Sequence, residues 1–207
     1  MEIKVFKQGS IRTNCCLVYN KKTQAGLIID PAIFDSELKD FISKNKIKLE
    51  YILLTHGHFD HVTAVKDVQK IFPKLKIAMH LADLPVVKRY HGLALAAGYG
   101  RVPEFEIDIE LIDQQVLNIA GFKIQVIATP GHSPGGVCFY FEADKVLFSG
   151  DTMFYHVCGR VDLPESDPKA MQQSLQKLLN NLPAETRVLP GHGKETTIEK
   201  EKIFYNN

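Results

Sequence analysis

No part of this 207-residue chain comes near the roughly 20 uninterrupted apolar residues of a membrane-crossing helix, so no membrane span is expected. The opening Met1-Glu2-Ile3-Lys4-Val5 has no apolar signal core. Long blocks of one charge are missing as well, and the formal net charge is +1. A chain this close to neutral has no global field to draw nucleic acid or an anionic membrane. Cysteine is scarce, at four residues, and Cys15, Cys16, Cys138 and Cys158 form no CxxC pattern. Adjacent strand residues face opposite ways, so Cys15 and Cys16 are poor partners for each other. Reduced, buried thiols are the simple reading and fit a reducing compartment. A disulfide between the more distant cysteines stays open. No internal repeat, low-complexity tract or interdomain linker interrupts the chain. These absences point to a soluble cytoplasmic protein with one domain over residues 1–207. Its 45% hydrophobic content is enough for one good core.

What is present alternates in type. Strands are expected from Ile3 to Phe6, Cys15 to Tyr19 and Gly26 to Asp30. A helix follows with Leu38, Phe41 and Ile42 on one face. The strand 51–54 comes next, and Val62, Val65, Val68 and Phe72 mark a second helix. Beyond the strand Lys76 to Met79, residues 81–108 read as irregular. Strands resume at Val116 to Ile119, Lys123 to Ala128, Val137 to Phe141 and Lys145 to Phe148. A late helix carries Met171, Leu175, Leu178, Leu179 and Leu182, with Asp167 before Pro168 as its cap. A last strand precedes His192.

The densest chemistry lies at residues 55–61, Thr-His-Gly-His-Phe-Asp-His. Three imidazoles and a carboxylate directly follow the apolar run Tyr51-Ile52-Leu53-Leu54. Packing does not explain such a burst, and these donors suit zinc, iron or manganese. His56 and His58 alternate along the chain, while Asp60 and His61 follow a turn, so two metal positions are expected. His132, Asp151 and His192 repeat the setting downstream. Each follows a short apolar strand and a glycine that lets the chain turn sharply. Strand-end loops are where scaffolds place chemistry.

Taken together, His56-x-His58-x-Asp60-His61, His132, Asp151 and His192 resemble the metallo-β-lactamase superfamily of binuclear hydrolases. Thr129-Pro130-Gly131-His132, Ser149-Gly150-Asp151-Thr152 and Pro190-Gly191-His192-Gly193 extend the likeness almost end to end. Gly159-Arg160-x-Asp162 and Thr196-Thr197 are similar to the short glyoxalase II group. The resemblance implies a four-layer αβ/βα sandwich of two mixed sheets (an α/β, α+β class) with the site on one edge. It implies His56, His58 and His132 on one metal, Asp60, His61 and His192 on a second, and Asp151 bridging them. It also implies a metal-bridging hydroxide attacking a thioester such as S-lactoylglutathione. A thiolate leaves with little protonation help, which suits a site without an obvious general acid. Zinc is the expected metal of the pair, with iron or manganese as alternatives. Larger glyoxalase II enzymes add a C-terminal helical domain for glutathione, and this chain stops soon after His192.

Several residues have two readings. Asp30 is expected to orient a ligand histidine by accepting its other N–H, or else to cap the turn with Pro31. Arg160 either braces the loop by pairing with Asp162 or meets a substrate carboxylate. Tyr155 is a further candidate near the site or substrate. His80, His91 and His156 read as bystanders. Arg89, Tyr90, Tyr99 and Arg101 form either a substrate wall or a solvated loop. The glycines near His132 lack the GxxxxGK[ST] spacing of a phosphate loop. The competing functions are a mononuclear-iron persulfide dioxygenase and a lactonase on the same scaffold. RNA cleavage and β-lactam hydrolysis are disfavoured by the near-neutral charge and the missing export signal. The expected partner is a small-molecule thioester, and oligomeric state is not legible.

Overall fold

The computed structural model describes residues 1–206. The first half builds one six-stranded sheet from β1 (Glu2–Gln8), β2 (Thr13–Tyr19), β3 (Ala25–Ile29), β4 (Lys48–Leu53), β5 (Lys76–Met79) and β6 (Ile109–Glu110), in that spatial order. The first three strands are antiparallel, and β3 to β6 run parallel through crossovers. Those crossovers contain α1 (Ser36–Lys44), α2 (Phe59–Val62), α3 (Val65–Ile71), α4 (Leu84–Arg89) and α5 (His91–Ala96). The second sheet holds β7 (Val116–Ile119), β8 (Phe122–Ala128), β9 (Val137–Phe141), β10 (Val146–Gly150), β13 (Arg187–Pro190) and β14 (Thr196–Thr197), in the order β14-β13-β10-β9-β8-β7. A small ribbon of β11 (Met153–Phe154) and β12 (Val157–Cys158) stands apart, and α6 (Pro168–Asn181) and α7 (Ile198–Asn206) cover the second sheet.

Strand alternation explains the layers. In β2, Cys15 and Leu17 face the helices with Leu38, Ile42, Val65 and Val68. Cys16 and Val18 face the other sheet and meet Val126, Phe139, Phe141 and Phe148. The outer side of the second sheet, with Ile127, Tyr140 and Leu147, packs on Met171, Leu175 and Leu178 of α6. Three apolar layers between four tiers of structure result. This is the expected four-layer architecture with two mixed sheets. All four cysteines are free thiols, three of them buried.

The cap of α6 is the one its sequence predicts. Asp167 accepts from the Lys169 and Ala170 amides at 2.8 and 3.0 Å, and Pro168 opens α6. Two expectations need correction. The second helix is broken into α2 and α3, because Thr63 and Ala64 turn the chain after the ligand residues. Residues 81–108 are not irregular throughout: a 3₁₀ turn at Leu81–Asp83 leads into α4 and α5. Leu93-Ala94-Leu95-Ala96 has the propensity for this, but Pro85, Gly92 and Gly98 obscured the periodicity.

Candidate metal centre

The ligand-type residues converge at one edge of the two sheets. His56 and His58 follow β4, and His58 is the N-cap residue of α2, which carries Asp60 and His61. His132 follows β8, Asp151 follows β10 and His192 follows β13. These last three strands run in one direction within their sheet. The Val137 amide donates to the Thr55 carbonyl at 2.8 Å and stitches the sheets together at this point. Thr13 forms an isolated bridge with His192 and closes the other side.

Donor atoms of His56, His58 and His132 lie within 4.8 Å of one another, as do those of Asp60, His61 and His192. Asp151 stands between the two sets. Its Oδ1 is 3.5 Å from His61 Nε2, and its Oδ2 is 3.5 Å from both His132 Nε2 and His192 Nε2. A third grouping of Asp30, His56 and His61 is also close. Both Asp30 oxygens are already committed, however. Oδ1 accepts from the Thr55 amide, and Oδ2 takes the Thr55 hydroxyl and lies 2.9 Å from His61 Nδ1. Asp30 therefore sits behind the cluster and orients His61, although its own φ of +53° places it in the left-handed region, which aspartate tolerates better than most residues.

Each of the five imidazoles has its outer nitrogen tethered. His56 Nδ1 is 3.0 Å from the Thr55 hydroxyl, His58 Nε2 is 2.9 Å from Glu165, and His61 Nδ1 is held by Asp30. His132 Nδ1 is 2.8 Å from the Arg160 carbonyl, and His192 Nδ1 is 3.3 Å from the Ile11 carbonyl. The inner nitrogens all face the same space, where His58 Nδ1 and His132 Nε2 are 2.8 Å apart. Outer tethers of this kind fix the tautomer and ring plane of metal-binding histidines. The buried His56 Nε2 and Asp151 Oδ1 have no hydrogen-bond partner. Buried polar atoms rarely stay unpaired, and a cation satisfies both. The donor set fits a pair of divalent metals.

The comparisons agree with this geometry. Residues 10–192 match the model of the metallo-beta-lactamase superfamily. The chain belongs to that superfamily. A hydroxyacylglutathione hydrolase, GloC, from Haemophilus influenzae is 30% identical over 203 residues, covering 98% of this chain and 95% of its own. The crystal structure of the BLEG-1 B3 metallo-beta-lactamase superposes with a TM-score of 0.88 at 33% identity, covering 97% of this chain and 96% of that one. TTHA1623, in a di-iron-bound form, gives 0.82 at 37% identity with 96% of both chains covered.

Electrostatics in this superfamily member follow from burial and proximity. Burial, reinforced by the neighbouring imidazoles, lowers the His56 pKa well below its usual value, which keeps it a neutral donor. Burial also opposes charge on His61, but Asp60, Asp30 and Asp151 outweigh it and raise the pKa to about 10. The carboxylates that hold this proton would equally hold a cation. Burial works against ionising Asp60, yet His61, His192 and the Thr13 hydroxyl, at 2.9 Å, keep it well below the carboxylate range.

Two acids around the cluster had no motif to reveal them, buried Asp83 and half-buried Glu165. Glu165 takes His58 on Oε1 together with the Tyr90 hydroxyl at 2.6 Å, and its Oε2 is 3.2 Å from Arg89 Nη1. Asp83 accepts from the Gly57 amide, the Ser133 hydroxyl and the Gly135 amide at 2.7, 2.8 and 2.5 Å. It thereby clamps the His56–His58 loop to the His132 loop. Arg160 makes the brace with Asp162 through two bonds of 2.7 and 2.8 Å. Tyr155 does not line the cavity. Its ring stacks on His156 and lies under Lys194, while neighbouring Phe154 takes the wall. His80 caps the next turn through Ala82, and His156 stacks on Phe204. Tyr99 is buried with its hydroxyl on the Ile11 amide, and Arg101 is exposed. A cavity of about 410 Å³ opens onto His58, Asp60, His132, Asp151 and His192.

Proposed function

We propose that this chain is a metal-dependent hydrolase that cleaves a thioester, S-acylglutathione such as S-lactoylglutathione, as a small-molecule enzyme of the cytoplasm. The observation that carries the reading is the set of five imidazoles tethered outward and open inward around Asp60 and Asp151. The name of the Haemophilus relative supports the choice of substrate class. His56, His58 and His132 would hold one ion, Asp60, His61 and His192 another, with Asp151 shared. Imidazole with carboxylate suits zinc, and iron or manganese also bind such sets. Bound ions of this kind polarise a carbonyl and lower the pKa of water from 15.7 to about 7.

The chain's own groups do the rest. Asp60, ionised and restrained by Thr13, is an acceptor for a proton of the attacking water. Glu165, Asp30 and the Arg160 carbonyl keep three imidazoles from rotating. Water adds its oxygen to the acyl carbon, the C–S bond breaks, and one proton passes to the thiolate or to solvent. A thiol is acidic enough to leave without a dedicated acid.

The test is thiol release from S-lactoylglutathione by zinc-loaded protein. Asp151→Ala removes a shared donor and is expected to cost at least about a hundredfold in kcat/KM, a loss on the scale of an essential electrostatic group. Arg160→Ala breaks only an exposed brace and costs far less. An Asp151→Ala protein as active as the wild type contradicts the assignment. One iron per chain with oxygen uptake on glutathione persulfide would replace it with an oxygenase.

A further inference from the structure

The cavity at the metal centre has a floor of imidazole and carboxylate but walls of hydrocarbon. Ile11, Phe59, Leu93, Ala97, Phe154 and Leu163 make those walls. Leu93 is 53% exposed and Ile11 45%, so two large apolar side chains stand open beside a charged cluster. Their placement follows from the α4–α5 segment. Tyr90, Leu93 and Ala97 are spaced by three and four residues and share the cavity-facing side. Ala94, one position on, is fully buried and anchors the segment to the core. Turning Leu93 outward is thus fixed by the packing of its neighbour.

Free cationic side chains are missing from the walls. Among the described residues lining the cavity, Arg160 is the one lysine or arginine, and its Nε and Nη2 are held by Asp162. Arg89 beside it is engaged by Glu165. Glutathione carries two carboxylates and an ammonium at neutral pH. Burying such charges against hydrocarbon without partners is unfavourable, whereas an alkyl chain gains by leaving water. The charged thiol half of a thioester therefore belongs at the open mouth, and the acyl half against the wall.

Resting on the thioester-hydrolase reading, we propose that the enzyme selects apolar acyl groups, from butyryl to about octanoyl or an aryl equivalent, laid along Leu93 and Phe154. Selection would then act against the short hydroxylated lactoyl group.

The experiment compares S-acetyl-, S-butyryl-, S-hexanoyl- and S-lactoylglutathione with zinc-loaded protein, reading thiol release. Each methylene is expected to raise kcat/KM about two- to fourfold, according to how completely it is buried. Hexanoyl should exceed acetyl by at least about tenfold and should also exceed lactoyl. Leu93→Ser, at an exposed position the fold tolerates, should shrink the hexanoyl-to-acetyl ratio severalfold. Calorimetry of the carboxylate products gives a reading without turnover: hexanoate should bind at least about tenfold more tightly than acetate. Cleavage with no gain along the series, or a preference for lactoyl, overturns this inference and leaves the hydrolase reading standing. A ratio unmoved by Leu93→Ser also overturns it. Tight hexanoate binding without cleavage of any thioester supports the apolar subsite and sinks the hydrolase reading instead.

Discussion

Glu165 shows how a single side chain can matter without belonging to any motif. Its side chain is 7% exposed and holds His58 Nε2, so the ring must offer Nδ1 to the metal centre. Burial disfavours its charge, but the hydrogen bonds from Tyr90 and His58 keep its pKa below the usual value. Outer partners of metal-binding histidines are typically worth about 10- to 100-fold in metal affinity. Glu165→Ala should weaken zinc binding by that factor in a chelator competition, and Glu165→Gln, which keeps an acceptor oxygen, by less. Unchanged affinity in Glu165→Ala would mean that packing alone orients His58. Asp83 is the complementary case. It touches no donor atom of the cluster, yet three groups from two ligand loops donate to it. Asp83→Asn turns an amide toward one of those donors and leaves it unpaired. The expected cost is about 1–3 kcal/mol, read as a lower thermal midpoint of the metal-free protein. No change would show that the loops are held from elsewhere.

At the level of elements, the site depends on how closely the ligand loops approach their neighbours. Gly131 has a φ of +144°, and a Cβ there would lie 2.4 Å from the Met171 Cα in the first turns of α6. The Asp167 amide also donates to the Gly131 carbonyl at 2.7 Å, so the loop before His132 is seated directly on the helix start. Gly131→Ala must push loop and helix apart. Overpacking of this kind costs about 1–3 kcal/mol, or several degrees of melting temperature for a chain of this size. Gly92→Ala in α5 is the control, because nothing lies within 4 Å of its Cβ position and helix propensity favours alanine. Its midpoint should hold or rise, and equal losses in both variants would refute the packing argument. The same contacts mark what sequence could and could not reveal. The 55–61 stretch and the residues that follow strand-end glycines at 132, 151 and 192 marked the seven side chains that the fold brings together, and alternation in β2 separated the two faces of its sheet. Asp30 was legible because it ends a strand. Glu165 and Asp83 were not, since they reach the ligands from segments about 107 and 26 residues away in sequence, through tertiary contacts that leave no periodic trace. The α4–α5 wall was hidden for a local reason: proline and glycine interrupt a helical run that divides its apolar residues between the core, with Val87 and Ala94, and the cavity, with Leu93 and Ala97.

For the whole molecule, the cluster ties together four separate stretches of chain, at 56–61, 132, 151 and 192, drawn from both sheets. Metal binding at such a point is linked to global stability, by about 2.7 kcal/mol when free metal is a hundredfold above its dissociation constant. At about 2–4 °C per kcal/mol for this size, chelation should lower the melting temperature by about 5–10 °C, and zinc should restore it. The metal-free protein should nevertheless stay folded near neutrality. His61, with its pKa raised to about 10 by three carboxylates, keeps a proton that partly balances them. A raised folded-state pKa stabilises fully below the unfolded value of about 6.5 and loses that contribution as pH rises through the folded value. The metal-free midpoint should therefore fall between pH 6.5 and 10 relative to the zinc-loaded one, and the gap between them should widen with pH. Groups outside the cluster titrate alike in both forms and cancel from the difference. Scanning calorimetry at a series of pH values, with and without chelator, measures that gap. A gap that narrows as pH rises would show that the carboxylates around His61 are balanced in some other way, and no gap at any pH would mean that the converged donors bind no cation.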